Sequence, residues 1–271
     1  MSTASAPLEI GRVALTVNDL AAVQDFYQSA LGLDRMGSDP GIALLGAGGR
    51  PLLELREDRA ARRRSVREAG LFHTAFLLPS RAALGQWLVH AADSKVRLQG
   101  ASDHLVSEAI YLADPEGNGI EVYADRPRDA WPKENGRIRM ATEPLDLRDL
   151  AQSAGGRWTG APEGTVIGHV HLQVGGLAEA EDFYQGTLGF DVVTHYLGAS
   201  FLGSGGYHHH LGTNIWNSQG AQRRSFPSTG LADLEILAEP TDLDSILTRT
   251  KGQRHLTDPW GTTVTLTRKA A

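Results

Sequence analysis

The residues best suited to chemistry stand together in one stretch, Gly205-Gly206-Tyr207-His208-His209-His210-Leu211-Gly212-Thr213-Asn214-Ile215-Trp216, where three of the chain's ten histidines are consecutive. Imidazole is a common ligand for transition metals. The chain has no cysteine, so a strong metal site has to be assembled from His, Asp and Glu. Read as a strand, the stretch alternates. His208, His210, Asn214 and Trp216 share a polar face, and His209, Leu211, Thr213 and Ile215 share a largely apolar one. The run is internal and short, unlike an expression tag. A wet strand edge with incidental histidines is the plain alternative, and partners elsewhere in the chain must decide between the two.

The elements that would position such partners repeat. Gly11-Arg12-Val13-Ala14-Leu15-Thr16-Val17 returns as Gly168-His169-Val170-His171-Leu172-Gln173-Val174, Asp25-Phe26-Tyr27-Gln28 as Asp182-Phe183-Tyr184-Gln185, and Leu31-Gly32-Leu33-Asp34 as Leu188-Gly189-Phe190-Asp191. Each copy reads as an alternating strand, an amphipathic helix and a glycine stop. A second echo, Gly70 to Leu77 against Gly230 to Leu237, leads into helices expected over 81–92 and 242–249. Each half closes on a turn and strand, Asp114-Pro115-Glu116-Gly117-Asn118-Gly119-Ile120-Glu121 and Asp258-Pro259-Trp260-Gly261-Thr262-Thr263-Val264-Thr265. The chain therefore divides into four strand–helix–strands units, with domains expected at 8–126 and 166–269. The connector at 127–165 is rich in proline and charge, with a short helix near 145–151.

The totals bound the function. A chain of 271 residues, 41% hydrophobic and 21% charged, is an ordinary globular composition with core enough for two modest domains. A net charge of −6 gives no electrostatic support to a nucleic-acid or anionic-membrane role, and Arg62-Arg63-Arg64 reads as a solvated loop. The stretch Met1 to Pro7 has neither a charged nor an apolar targeting region, and no apolar run is long enough to span a bilayer. Together with the absence of cysteine, this leads to a cytoplasmic expectation.

The repeated βαβββ pattern, the helix-borne Phe-Tyr-x-x-x-Leu-Gly stretch and the Asp-Pro-x-Gly closing strands resemble the vicinal oxygen chelate superfamily of glyoxalases, bleomycin-resistance proteins and extradiol dioxygenases. Phe72-His73-Thr74-Ala75-Phe76, Asp103-His104 through Glu121, Gly168-His169-Val170-His171 and the histidine triplet resemble its two-domain catechol-2,3-dioxygenase type. The resemblance covers nearly the whole chain except the connector and implies an α+β fold, with four βαβββ units paired into cupped mixed sheets. It implies ligands from the first and last strands of each unit: Arg12 and Glu54, His73 and Glu121, His169 and His210, Asp233 and Thr265. Pairing the second unit with the third gathers His73, Glu121, His169 and His210 in one cup, and that pairing is preferred over pairing in chain order.

Several roles follow from the same resemblance. His73, His169 and Glu121 would form the two-histidine, one-carboxylate set of a non-haem Fe(II) oxygenase, which leaves positions for a catechol and for dioxygen. Tyr111 would contact substrate, and His104 could shuttle a proton. His171, His208, Asn214 and Trp216 would contact a small aromatic substrate. If His210 ligates as well, the site resembles a glyoxalase-like isomerase or lyase, with Mn, Zn, Ni or Co acting as a Lewis acid. A metal-free binding protein of the bleomycin-resistance kind is the third reading. Family members often associate through their sheets, so a homo-oligomer is also within expectation.

Overall fold

The computed structural model describes residues 2–270; Met1, part of the N-terminal stretch read above, lies outside them. The first half builds β1 (Leu8–Val17), α1 (Leu20–Leu31), β2 (Asp34–Asp39), β3 (Ile42–Ala47), β4 (Arg50–Glu57), β5 (Gly70–Leu77), α2 (Arg81–Asp93), β6 (Leu98–Asp103), β7 (Ser107–Ala113) and β8 (Gly119–Asp125). The connector carries two short strands, β9 (Lys133–Glu134) and β10 (Arg137–Ile138), and α3 (Leu147–Gln152). The second half follows with β11 (Val166–Gln173), α4 (Leu177–Glu181), a π-helical turn over Asp182–Thr187, β12 (Asp191–Tyr196), β13 (Ala199–Gly203), β14 (Leu211–Asn214), β15 (Gly230–Ala238), α5 (Pro240–Arg249), β16 (His255–Thr257) and β17 (Thr263–Arg268). Among the described residues, no helix is long and apolar enough to cross a membrane.

Local chemistry sets the helix ends. The Asp19 side chain accepts from the Ala22 N–H and caps α1, and Ser80 does the same for α2 through Ala83. Gly32 ends α1 with φ 67, and a Cβ there would stand 2.6 Å from the Gly160 backbone, so both the left-handed turn and the seating of the connector require glycine. In the third unit the continuous helix expected from the repeat divides into α4 and the π-helical turn, which carries the buried Tyr184 with its hydroxyl donating to Asp258 at 3.1 Å.

Two sheets form, and each takes strands from both halves of the sequence. One has the order β16-β17-β15-β1-β4-β3-β2 and joins the fourth unit to the first; the other, β12-β13-β14-β11-β5-β8-β7-β6, joins the third to the second. The seam in each sheet is an antiparallel pair of first strands, β1 with β15 and β5 with β11. The main hydrophobic core lies between sheets and helices. A smaller cluster, including Ala4, Ala75, Tyr123, Trp131 and Tyr207, fills one end of the second sheet's concave face.

The histidine triplet is not in a strand. Gly205 (φ 57) and Gly206 (φ 72) turn the chain, Tyr207 N–H donates to Ser204 C=O, and β14 begins only at Leu211. The face assignment for His208, His209 and His210 read from strand parity therefore fails: a tight turn has no two-residue alternation.

Candidate metal centre

Register across the second sheet brings the site together. On the seam His73 lies opposite His171 and His169 opposite Ala75, and the parallel pairing of β5 with β8 sets Glu121 beside Ala75. His73 Nε2 and His169 Nε2 stand 3.3 Å apart, and Glu121 Oε2 lies 3.1 Å from the first and 3.3 Å from the second. All three side chains are buried.

The arrangement fits a divalent ion. Ligand atoms each about 2.0–2.2 Å from a metal stand roughly 3 Å from one another. Hydrogen bonding alone satisfies it poorly, because two imidazole nitrogens face each other and share one carboxylate oxygen. Among the described residues these three form the only group of three or more His, Asp or Glu side chains close enough to share an ion. Burial alone would raise the Glu121 pKa, yet the imidazoles of His169 and His73 hold it well below the usual carboxylate range. Burial pulls His169 below the ordinary imidazole value, and Glu121 only partly restores it. A metal ion binds to the deprotonated carboxylate and to neutral imidazoles.

The same register rule locates the fourth position. In the second unit the last-strand ligand Glu121 pairs with the residue two after His73; in the first, Glu54 pairs with Ala14, two after Arg12; in the fourth, Thr265 pairs with Glu235, two after Asp233. In the third unit, the residue two after His169 is His171, and its partner is Gly212. The fourth position therefore has no side chain. A Cβ on Gly212 would come within 2.9 Å of the His171 ring.

His210, expected there, stands elsewhere. Its Nε2 donates to Ala4 C=O at 2.9 Å and its Nδ1 accepts from Ser204 N–H at 3.2 Å, so both nitrogens are engaged, one of them by the N-terminal segment. Burial drops its pKa to about 4. His208, expected to contact substrate, is fully buried, with Nε2 2.9 Å from Asp125 Oδ1 and Nδ1 2.8 Å from His209 Nδ1. Asn214 is also buried away from the cavity, and its side-chain oxygen accepts from Trp216 N–H.

Besides His73, Glu121 and His169, four of the expected residues line the cavity of about 330 Å³ at the centre: His104, Tyr111, His171 and Trp216. Tyr111 is the cross-strand neighbour of Glu121, its ring lies 5.8 Å from that of His73, and its hydroxyl is 2.5 Å from His104 Nε2. His104 Nδ1 lies 2.7 Å from Ala141 C=O, which can only accept, so Nδ1 carries the proton and Nε2 receives the phenol's hydrogen bond. Burial and the nearby Glu121 carboxylate raise the Tyr111 pKa well above its ordinary value. His171 is pushed well below the imidazole norm by burial and by His73 and His169, and its Nε2 has no partner. Phe72 and Trp216 pack on it at 5.2 and 5.4 Å.

His209 also lines the cavity, with its ring 4.2 Å from that of His169. Sequence parity had assigned it to the apolar face; the signal against that reading was Gly205-Gly206, a pair that favours a turn.

The other sheet has a counterpart without histidine. Arg12 lies 2.5 Å from Glu54 and 3.9 Å from Asp233, and Asp233 accepts from Thr265 at 2.8 Å. There the Arg12 guanidinium, with Arg56 2.5 Å from Glu54 beside it, supplies positive charge to the two carboxylates, in the cup that the preferred pairing left without histidine.

Paired βαβββ units with a buried metal-competent set on the concave sheet define a class of protein, and the chain belongs to it: residues 9–122 and 166–255 match the Glyoxalase/Bleomycin resistance protein/Dioxygenase superfamily. Within that class it is 41% identical over 251 residues to catechol-2,3-dioxygenase of Bacillus subtilis (strain 168), covering 89% of this chain and 87% of the relative. Solved structures share the fold. Glyoxalase I from Zea mays superposes with a TM-score of 0.57 at 16% identity over 96% of this chain and 92% of that one. The cppA protein from Streptococcus pneumoniae TIGR4 gives 0.59 at 14% identity over 96% and 99%.

Proposed function

We propose that the chain is a metal-dependent extradiol dioxygenase, which opens the ring of a catechol-like aromatic beside its two hydroxyls, with Fe(II) held by His73, Glu121 and His169. The observation that carries this reading is Gly212 at the fourth ligand position. Three protein ligands would leave room on one ion for a diol and for dioxygen, and a ferrous ion, when bound, would supply the electron exchange that dioxygen chemistry needs. The four-ligand arrangement of a redox-silent isomerase lacks its last side chain. The catechol-2,3-dioxygenase relative supports the same choice.

The chain's own groups have distinct tasks. Tyr111, its hydroxyl held by His104, stands beside Glu121 and hydrogen-bonds a substrate oxygen, with His104 as the proton acceptor behind it. His209 and His171, kept neutral by burial, are proton acceptors and hydrogen-bond partners within the cavity. Phe72, Phe201 and Trp216 form an aromatic wall for the ring and exclude water. The substrate is a small aromatic molecule.

The test is to load the purified protein anaerobically with Fe(II), add a panel of catechols and then dioxygen, and follow the yellow ring-opened product and oxygen uptake. Turnover that needs both iron and dioxygen is expected. Oxygen-independent turnover with Zn or Ni, or no turnover across the panel with iron bound, would refute the reading.

A further inference from the structure

Behind His209 runs a hydrogen-bonded chain that the proposed chemistry does not use. Asp125, at the end of β8, has a buried side chain, and its Oδ2 accepts from Thr3 Oγ1 at 2.5 Å and Tyr207 hydroxyl at 2.9 Å. Its Oδ1 faces His208 Nε2 at 2.9 Å, and His208 Nδ1 faces His209 Nδ1 at 2.8 Å. His208 is packed by aromatic rings, with the Tyr207 ring 4.1 Å and the Trp131 ring 5.1 Å from its own. The chain ends in the cavity, on a ring packed against a metal-binding histidine.

We infer that Asp125 and His208 are positioning residues that fix the tautomer of His209, so that its Nε2 offers a bare lone pair to the cavity. Carboxylate Oδ1 can only accept, so His208 Nε2 carries a hydrogen. The two facing Nδ1 atoms, 2.8 Å apart, share one hydrogen, and a neutral His208 carries its own on the nitrogen that faces Asp125. The Arg128 guanidinium over the Tyr207 ring, at 5.5 Å, adds positive potential on that side. His208 Nδ1 is therefore the acceptor, His209 Nδ1 the donor, and His209 Nε2 is left unprotonated. A substrate hydroxyl entering the cavity meets an acceptor there. The opposite tautomer would present a donor and could take no proton from it. The logic is that of a carboxylate that orients a catalytic imidazole without itself being protonated, with one more imidazole in the chain. The consequence for turnover rests on the dioxygenase reading; the tautomer does not.

The decisive variant is Asp125→Asn. Thr3 and Tyr207 hydroxyls donate to one oxygen, so the amide carbonyl takes that side and its N–H₂ turns to His208. His208 Nε2 must then accept, Nδ1 must donate, and the proton on His209 moves to Nε2. Long-range ¹H–¹⁵N spectra of histidine-labelled protein, with zinc(II) as a diamagnetic ion, report the protonated nitrogen of each ring. Wild type should carry the His209 proton on Nδ1 and Asp125→Asn on Nε2. With iron loaded, kcat should fall by about 10²–10⁴, with KM and metal content within about twofold of wild type, a split that loss of fold does not produce. His208→Phe, which deletes the acceptor, should give a mixture of His209 tautomers and a smaller loss of kcat. A wild-type His209 protonated on Nε2, or the same tautomer in wild type and both variants, would overturn the inference whatever the activity. Absence of any wild-type turnover alongside the expected tautomer shift would instead count against the dioxygenase reading.

Discussion

Gly212 permits a test of the site that does not depend on turnover. A methyl group at Gly212 would lie 2.9 Å from His171 Cγ and 3.0 Å from Cδ2 and Nδ1, against the roughly 3.5–4.0 Å at which carbon atoms rest. The ring cannot yield freely, because His73, Phe72 and Trp216 stand at 5.1, 5.2 and 5.4 Å from it. Overpacking of this kind costs about 1–3 kcal/mol, while alanine in place of glycine in a strand returns about 0.5–1 kcal/mol of backbone entropy. Gly212→Ala should therefore destabilise the protein by about 1 kcal/mol net. In a His171→Ala background the clash is gone, and the same substitution should stabilise by about 0.5–1 kcal/mol. Urea titrations of the four proteins then give a coupling energy of about 2 kcal/mol. The single variant should also lose about 100-fold in kcat, since a displacement near 1 Å at the cavity wall is enough for that. Additivity within about 0.5 kcal/mol would refute the claim that His171 and the missing fourth ligand compete for one space.

Other outcomes follow from the same geometry. His73→Ala and His169→Ala should each abolish the same single metal, read by elemental analysis beside wild type; separate partial losses would contradict a shared ion. Tyr111→Phe should lower kcat by about 10²-fold or more with metal content unchanged, because the ring's packing stays and the hydroxyl bonded to His104 goes. Arg12→Ala removes the guanidinium that reaches both Glu54 and Asp233 on the other sheet, leaving Arg56 on Glu54 and Thr265 on Asp233, and should cost about 2 kcal/mol, below the full penalty for a buried pair because the guanidinium is 26% exposed. His210 gives a pH prediction. Its folded pKa of about 4 lies below its unfolded value near 6.5, so the unfolded chain binds more protons in that window. Stability should fall as pH drops from 6.5 to about 4, by about 3 kcal/mol from this group, and metal-free His210→Gln should show a correspondingly shallower decline.

Much of this protein was legible in the sequence because its physical causes are local or periodic. Alternating apolar residues fix strands, Asp19 and Ser80 start helices, and Gly32 ends one; a duplicated order of such signals yields the βαβββ repeat and, with it, first-strand positions such as His73 and His169. The closing strand that carries Glu121 was legible for the same reason, and its place among the ligands was implied by the resemblance. The tertiary structure decided what depends on register and on segments remote in sequence. Which units share a sheet is set by the seam between β5 and β11; no local signal records it, and the sequence favoured this pairing only because it gathers the candidate ligands in one cup. That Gly212 and not His210 holds the fourth position follows from how β14 pairs with β11, a relation visible only once the strands lie side by side. His210 is withdrawn by Ala4, some two hundred residues away, and His208 by Asp125. His209 faces the cavity because two glycines replace two-residue alternation with a turn. A run of three histidines states only that imidazoles are available; the partner each one meets decides which are consumed by the fold and which one remains for chemistry.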